Sequence, residues 1–357
     1  MHEEWSTIAV RTIDRIAIVF SAVVLTALGL IAALSALGAV ELAPWQAMNA
    51  FAREVEDFVR GPAVKDHPLR QISKHVWIIF SPDGFPTPEN QGMMCNITFV
   101  NTAKGLVIVD SGASAQIGEM AIRQAQKTFK KPVIAIVNTH YHGDHWLGND
   151  AFAAAFKSLP MYAHPGTTRE IKGVQGNMWR TLMEQWTNQA TLGTRVVAPT
   201  LPLEHGSELK FGDVTLRMHH YGKAHTPSDI CVEVVEDKLT CVGDVAMDRR
   251  IANMDDGSYL GTFKTYDALE KNANSTIWLP GHGEPGPNVL KWNRELFEGI
   301  YRTCEQAVKD GLPLEEAKAL VLKDPRVASR AKDTKGFDTN IGKYVSLAYL
   351  EAEAAAF

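Results

Sequence analysis

Cysteine is scarce in this chain. Four residues in 357 (Cys95, Cys231, Cys241 and Cys304) are spread so that no two form a CxxC pair. That excludes a disulfide framework and a thiolate zinc site, the two uses that cysteine spacing announces. Pairing of Cys231 with Cys241 across a hairpin stays open beside the alternative of two free core thiols. Positive charge is not in surplus either: 36 Lys and Arg stand against 41 Asp and Glu, a net charge of −5. A nucleic-acid binder carries a basic surface, so no nucleic-acid partner is expected. No repeat of fixed period is present, which removes solenoids and propellers. What remains is ordinary globular usage, with 45% hydrophobic and 22% charged residues, in a chain long enough for one large domain or two ordinary ones. The sequence carries no mark of oligomeric state.

One long apolar run does occur. Residues 16–40 read IAIVFSAVVLTALGLIAALSALGAV without a charge. As a helix they would reach about 37 Å, enough to cross a hydrocarbon layer of about 30 Å with some tilt. Arg11 and Arg15 precede the run, whereas the first basic residue after it is Arg53. That bias keeps the N-terminus in the cytoplasm and sends the rest across the membrane. A secretory signal has a shorter apolar region, of roughly 7–15 residues, so the length favours an uncleaved anchor. The small residues Ala36, Gly38 and Ala39 nevertheless offer a peptidase site. Either reading places the remaining chain outside the cytoplasm, on the periplasmic side, tethered or released.

The organisation that follows is a membrane anchor or signal at 1–45, a linker with a short amphipathic helix at 46–70, a catalytic domain at 71–310 and a C-terminal helical extension at 311–357. Short β-branched and aromatic runs bounded by turn residues read as strands at 75–81, 94–100, 106–109, 132–137 and 160–163. A second strand-rich block covers 208–211, 214–221, 230–235, 239–242 and 276–279. Helical spacing covers 115–130, 165–192 and 263–271, and again from 289 to the end. Two such halves packed sheet to sheet put strands inside and helices outside, an α/β (α+β) layered fold.

The chemistry concentrates at residues 139–145, Thr-His-Tyr-His-Gly-Asp-His. Imidazole nitrogen and carboxylate oxygen are the donors that zinc and neighbouring divalent metals prefer. An HxHxDH pattern should arise by chance in about one chain of this length in a thousand. A solvated polar loop is the plain alternative, and it predicts no further isolated His or Asp at later strand ends. Three exist. His225 lies in Gly-Lys-Ala-His-Thr-Pro-Ser-Asp, Asp244 in Cys-Val-Gly-Asp and His282 in Leu-Pro-Gly-His-Gly, each just after a strand. Flanking glycines allow close backbone approach.

In this order the four motifs resemble those of the metallo-β-lactamase superfamily of binuclear metallohydrolases. The resemblance implies an αββα sandwich with two metal ions, zinc first and iron or manganese as alternatives, at one edge between the sheets. His140, His142 and His225 would bind the first ion, Asp144, His145 and His282 the second, and Asp244 would bridge them. Asp110, in Val-Ile-Val-Asp-Ser-Gly, matches the strand-end Asp that supports the ligand loop from behind. Lactamases with a Cys ligand carry it where Asp244 stands, so the full set is more similar to glyoxalase-II-type thioesterases, lactonases and quinoprotein-associated zinc hydrolases.

The activity implied is hydrolysis of a small-molecule ester, thioester, lactone or β-lactam by a metal-bridging hydroxide, with Asp144 as the catalytic proton carrier. An iron-dependent persulfide-dioxygenase-like oxidoreductase and a metallo-nuclease or phosphodiesterase are the alternatives. The first uses a single metal, against the full second set. The second is disfavoured by the negative charge. A non-catalytic binding module is weakest, since all seven donor positions are filled. Tyr141, Trp146, Arg249 and Arg250 are candidate substrate contacts, with packing or a solvated surface as the competing reading for each. The loop GFPTPEN is a candidate flap, and His164, His205, His219 and His220 are taken as structural.

Overall fold

Successive side chains of a strand point to opposite faces, so a strand buried on both sides is apolar at every position. The central strands here have that character, and they build two sheets. The computed structural model describes residues 60–81, 84–251 and 254–356. The run at 16–40, with its anchor or signal reading, lies outside the described residues. Among the described residues no helix is long and apolar enough to cross a membrane.

The first sheet holds β1 (Leu69–Gln71), β2 (Val76–Ile79), β3 (Ile97–Thr102), β4 (Gly105–Val109), β5 (Val133–Val137), β6 (Met161–Ala163) and β7 (Leu201–Pro202), in that order across the sheet. β1 to β4 pair antiparallel, and β4 to β7 pair parallel. The second sheet runs β12 (Ile277–Pro280), β11 (Leu239–Gly243), β10 (Cys231–Val234), β9 (Thr215–His219) and β8 (Glu208–Lys210). Only its β11–β12 pair is parallel.

Alternation then sorts the core into layers. Val76, Ile78, Val107 and Val109 of the first sheet meet Leu216, Met218, Val232 and Leu279 of the second. The opposite face of the first sheet, with Ile79, Phe99, Leu106 and Ile108, packs on α1 (Ala115–Phe129), α3 (Asn149–Ala155) and α5 (Val174–Trp186). The outer face of the second sheet packs on α6 (Tyr259–Asn272), α7 (Val289–Lys309) and α10 (Phe337–Ala355). The result is a helix–sheet–sheet–helix sandwich, as expected. The smaller helices are α2 (Gly143–Trp146), α4 (Pro165–Lys172), α8 (Leu314–Lys323) and α9 (Pro325–Ala328).

Several boundaries differ from the sequence reading for local reasons. Leu69 and Arg70, read as the end of the linker, belong with Gln71 to an edge strand paired with β2. The helical stretch at 165–192 breaks at Gly173 and ends at Trp186. α6 begins at Tyr259 rather than 263, because Ser258 caps it by accepting from Gly261 N. The carboxylate of Glu351, on α10, also accepts from Tyr259 N at 2.7 Å and from Leu260 N at 3.3 Å. Free amides at a helix start attract a negative group, so the C-terminal helix is tied to the start of α6. Residues 311–357, read as an extension, share the core of α6 and α7 through Val321, Tyr344 and Val345.

At the sandwich end that holds the β2-side turn, Asp237 joins the two sheets. Its Oδ2 accepts from Ser73 Oγ and, at 2.7 Å, from His75 N, and its Oδ1 lies 2.6 Å from His75 Nδ1. Burial alone would raise this carboxyl, but the Ser73 and His75 donors hold it below the ordinary range. A depressed carboxyl adds stability above its unfolded pKa that fades on acidification through the folded one. Asp237→Ala leaves these donors unpaired and should cost about 2–3 kcal/mol at neutral pH, with the deficit shrinking towards pH 3. Urea unfolding at the two pH values checks both statements.

Candidate metal centre

β4, β5, β11 and β12 each hand the chain to a loop at one edge of the sandwich, and that edge collects the donors. Asp110 follows β4; His140 and His142 follow β5; Asp144 and His145 lie on α2; Asp244 follows β11 and His282 follows β12. His225 arrives on the loop after β9. All seven candidate ligands are buried. Their donor atoms fall into two groups, His140–His142–His225–Asp244 and Asp144–His145–His282, each with its atoms within 4.8 Å of one another.

For His140, His145 and His282, a hydrogen bond on the far side of the ring selects the nitrogen that faces inward. Asp110 accepts from Thr139 N and Thr139 Oγ1, both at 2.8 Å. With its proton so committed, Thr139 Oγ1 accepts from His140 Nδ1 at 3.0 Å, which leaves the His140 Nε2 lone pair free. Asp110 Oδ2 also lies 2.9 Å from His145 Nδ1, and the Met94 carbonyl lies 2.7 Å from His282 Nδ1. Both rings therefore present Nε2 inward. His142 turns Nδ1 to within 2.9 Å of His225 Nε2, while its own Nε2 faces Asp256 at 3.6 Å. Outer acceptors of this kind fix tautomer and orientation in metal sites.

The inward atoms crowd together. His282 Nε2 is 3.1 Å from Asp144 Oδ2 and 3.2 Å from Asp244 Oδ2. His145 Nε2 is 3.3 Å from both Asp144 Oδ2 and Asp244 Oδ1. Asp244 Oδ2 also faces His225 at 3.6 Å, so this carboxylate addresses both groups. His140 Nε2, His145 Nε2 and Asp244 Oδ1 are buried without a hydrogen-bond partner among the described residues. Buried donor and acceptor atoms are ordinarily satisfied. A set of inward lone pairs from imidazole and carboxylate fits divalent cations.

Charge follows the same division. Burial, with His142 next to it, draws His225 down to about 3, and burial with His145 and His142 holds His140 well below its ordinary value. Both stay neutral, the form that ligates. Burial would raise the Asp144 and Asp244 carboxyls, but His145 and His282 outweigh it and hold both well below the carboxylate range.

The backbone makes room for this cluster at two glycines. Gly243 has φ +53°, and a Cβ there would lie 2.8 Å from Thr139 Oγ1. A Cβ on Gly281 would collide with Asp244 Oδ1 and lie 2.6 Å from His145 Cε1. Asp110 itself has φ 57°, a left-handed conformation that Asp tolerates better than most residues. The one-turn helix α2 is held by its carbonyl at His145, which accepts from Ser111 N at 2.8 Å and Asn138 Nδ2 at 3.1 Å.

The candidate substrate contacts fare differently. Trp146 is completely buried, with Nε1 donating to the Tyr141 carbonyl at 2.8 Å, and packs in the core. Tyr141 is also buried, edge-on to His142 at 5.2 Å, and its hydroxyl bonds Asp256. Arg249 points to solvent beside Asp248. Arg250 is turned inward and buried, and it lines a small cavity beside Asp244 and His225. His164 accepts from Gly166 N as the α4 cap, and His219 Nε2 pairs with Glu233 at 2.9 Å. His205 and His220 meet each other through a backbone amide. All four lie outside both donor groups. The four cysteines are free, Cys231 and Cys241 included. The loop at 84–92 leans Phe85 on Trp186, 5.1 Å between ring centroids.

Sequence reasoning passed over three neighbours of the ligands. Trp179 packs 4.9 Å from His142, Asp256 faces it from the other side, and Cys95 donates its thiol to the Asp144 carbonyl at 2.7 Å. The polar loop Met254-Asp255-Asp256-Gly257 carries the only local signal for any of them, a carboxylate-rich stretch shortly after Asp244. Gly281→Ala is expected to lower divalent-metal affinity by at least about 10-fold, the scale of damage to a supporting position, because the methyl displaces Asp244 and His145. Isothermal titration of the variant with Zn2+ reads this directly; wild-type affinity would contradict it.

Comparison with known proteins agrees with the geometry. The family model for the metallo-beta-lactamase superfamily matches residues 90–282. A metallo-beta-lactamase type 2 of Bacillus cereus is 27% identical over 232 residues, 62% of this chain and 78% of the relative. A linear primary-alkylsulfatase of a Pseudomonas species is 38% identical over 55 residues, 15% of this chain and 10% of that protein. Among solved structures, a metallo-beta-lactamase from Pontibacter korlensis superposes with a TM-score of 0.53 at 19% identity, covering 64% of this chain and 98% of its own. The likeness to the solved structure is one of fold. The family match spans every one of the seven donor positions, from His140 to His282, and the chain belongs to the metallo-beta-lactamase superfamily, as a metal-dependent hydrolase.

Proposed function

We propose that this hydrolase is binuclear, that its ions are zinc, and that it cleaves a small-molecule ester, thioester, lactone or β-lactam. The observation that carries the reading is the division of seven buried donors into two groups with Asp244 facing both. His140, His142 and His225 would hold one ion, and Asp144, His145 and His282 the other, with Asp244 between them. Imidazole and carboxylate without thiolate is a donor set that zinc accepts readily. Two ions held there would bring the pKa of a water down from 15.7 towards about 7 and polarise the scissile carbonyl.

The chain's own contribution is positioning and proton handling. Asp144 Oδ2 is occupied by His145 and His282, which leaves Oδ1 to take the proton of the attacking water. The same oxygen then returns that proton to the leaving group, so the proton count closes over the cycle. Asp110 acts behind His140 and His145 by fixing their rings. Trp179 and Tyr141 pack against His142 and limit how far its ring can turn. The bias of Arg11 and Arg15 before the apolar run at 16–40 supports a catalytic domain outside the cytoplasm, tethered by that run.

Full-length wild-type protein should contain about two zinc ions per chain by mass spectrometry. Hydrolysis should appear on at least one member of a panel holding a lactam, a lactone and a thioester. A phosphodiester and a primary alkyl sulfate complete the panel; turnover of these two alone would overturn the carbonyl assignment. His142→Ala removes a ligand and should lose more metal affinity and activity than the roughly 10–100-fold typical of outer partners. One ion or fewer in fully loaded wild-type protein would sink the binuclear reading, and oxygen uptake on a persulfide with one iron would replace it.

A further inference from the structure

Beside Asp244 lies a small cavity of about 10 Å3, the size that holds one water. His225 and Asp244 form its inner wall. Its outer wall is Arg250 with Thr262 of α6, Asn293 of α7 and Tyr344 of α10. Among the residues lining it, Arg250 Nη1 lacks a partner among the described residues, and the Asp244 carboxylate shares the lining. Arg250 is only 5% exposed, and a buried guanidinium nitrogen left unbonded is costly. Thr262 Oγ1 donates to Ser258 O at 2.7 Å, and Asn293 Oδ1 accepts from Tyr266 at 2.7 Å.

One water would give that nitrogen an acceptor and reach the Asp244 carboxylate across the cavity. A water accepts from guanidinium and donates to carboxylate, and the volume admits a single water and nothing larger. We propose that Arg250 is a positioning residue for the metal centre, holding the Asp244 carboxylate through one buried water. The inference rests on the binuclear reading above. It gives the C-terminal helices a role in the site, because α7 and α10, which lie beyond the family match at 90–282, close the chamber in which the water sits. Arg250 touches neither substrate nor reacting atoms in this arrangement.

The sign of the effect separates this role from a simple field effect. A guanidinium repels divalent ions, so an Arg250 that acted by charge alone would weaken metal binding, and removing it would tighten binding. Positioning predicts the reverse. Full-length protein is stripped of metal and titrated with Zn2+ against a chromophoric chelator, with Co2+ absorption as a second readout of coordination. R250M, which replaces a buried charge by an apolar chain of similar length, should weaken binding about 10–100-fold and alter the Co2+ spectrum. R250K, which keeps a donor, should recover part of the loss. T262I leaves the guanidinium in place but fills the cavity, and should weaken binding in the same direction; it also serves if R250M does not fold. Wild type taking up fewer than two ions would defeat the binuclear reading and this inference with it. Wild type taking up two, with R250M bound as tightly or more tightly, would defeat this inference alone. Loss in R250M with no change in T262I would overturn the water link.

Discussion

Everything at the functional edge of this molecule depends on lone pairs that point at one another. Five imidazoles and two carboxylates are buried in two groups whose donor atoms lie within 4.8 Å of one another, the nearest about 3 Å apart. Burying polar atoms without partners is among the costlier things a fold can do. Cations are the natural partners of such a set, and His140, His145 and His282 are held in place by hydrogen bonds on their far sides. Asp110 carries much of this: one carboxylate takes Thr139 twice and His145 once, and through Thr139 it reaches His140.

The sandwich makes the convergence possible because of strand direction. β4 runs parallel to β5, and β11 runs parallel to β12, so the chain leaves each pair at a common edge. The two sheets face each other over Val107, Val109, Val232 and Leu279, which brings the two edges together. Small residues then let backbone into the remaining space. At Gly281 even a methyl group would overlap the Asp244 carboxylate, so the close approach of β11 and β12 loops depends on the missing side chain.

The helices after β12 are integral to this edge. α10 places Glu351 on the first amides of α6, and Tyr344 of the same helix reaches the cavity beside Asp244. The centre is walled by apolar and aromatic groups on the His142 side and by a buried guanidinium on the Asp244 side.

Much of this was legible in the amino-acid order. The sheet-and-helix layering follows from apolar alternation, and the donors stand out because each comes just after an apolar strand, beside glycine, where chemistry is ordinarily housed. Those are local properties, readable one segment at a time. The orientation of each donor was not local. His282 is set by the Met94 carbonyl, 188 residues away, and His142 by Trp179 and Asp256. Neighbouring arginines with the same chemistry, Arg249 and Arg250, ended in solvent and in the interior respectively, and Trp146 beside a ligand proved to be core. Sequence alone thus determined which atoms are available for metal chemistry. Which of them face inward, and which neighbours support them, was decided by tertiary packing, because burial and hydrogen-bond partners are properties of segments that meet only in the folded chain.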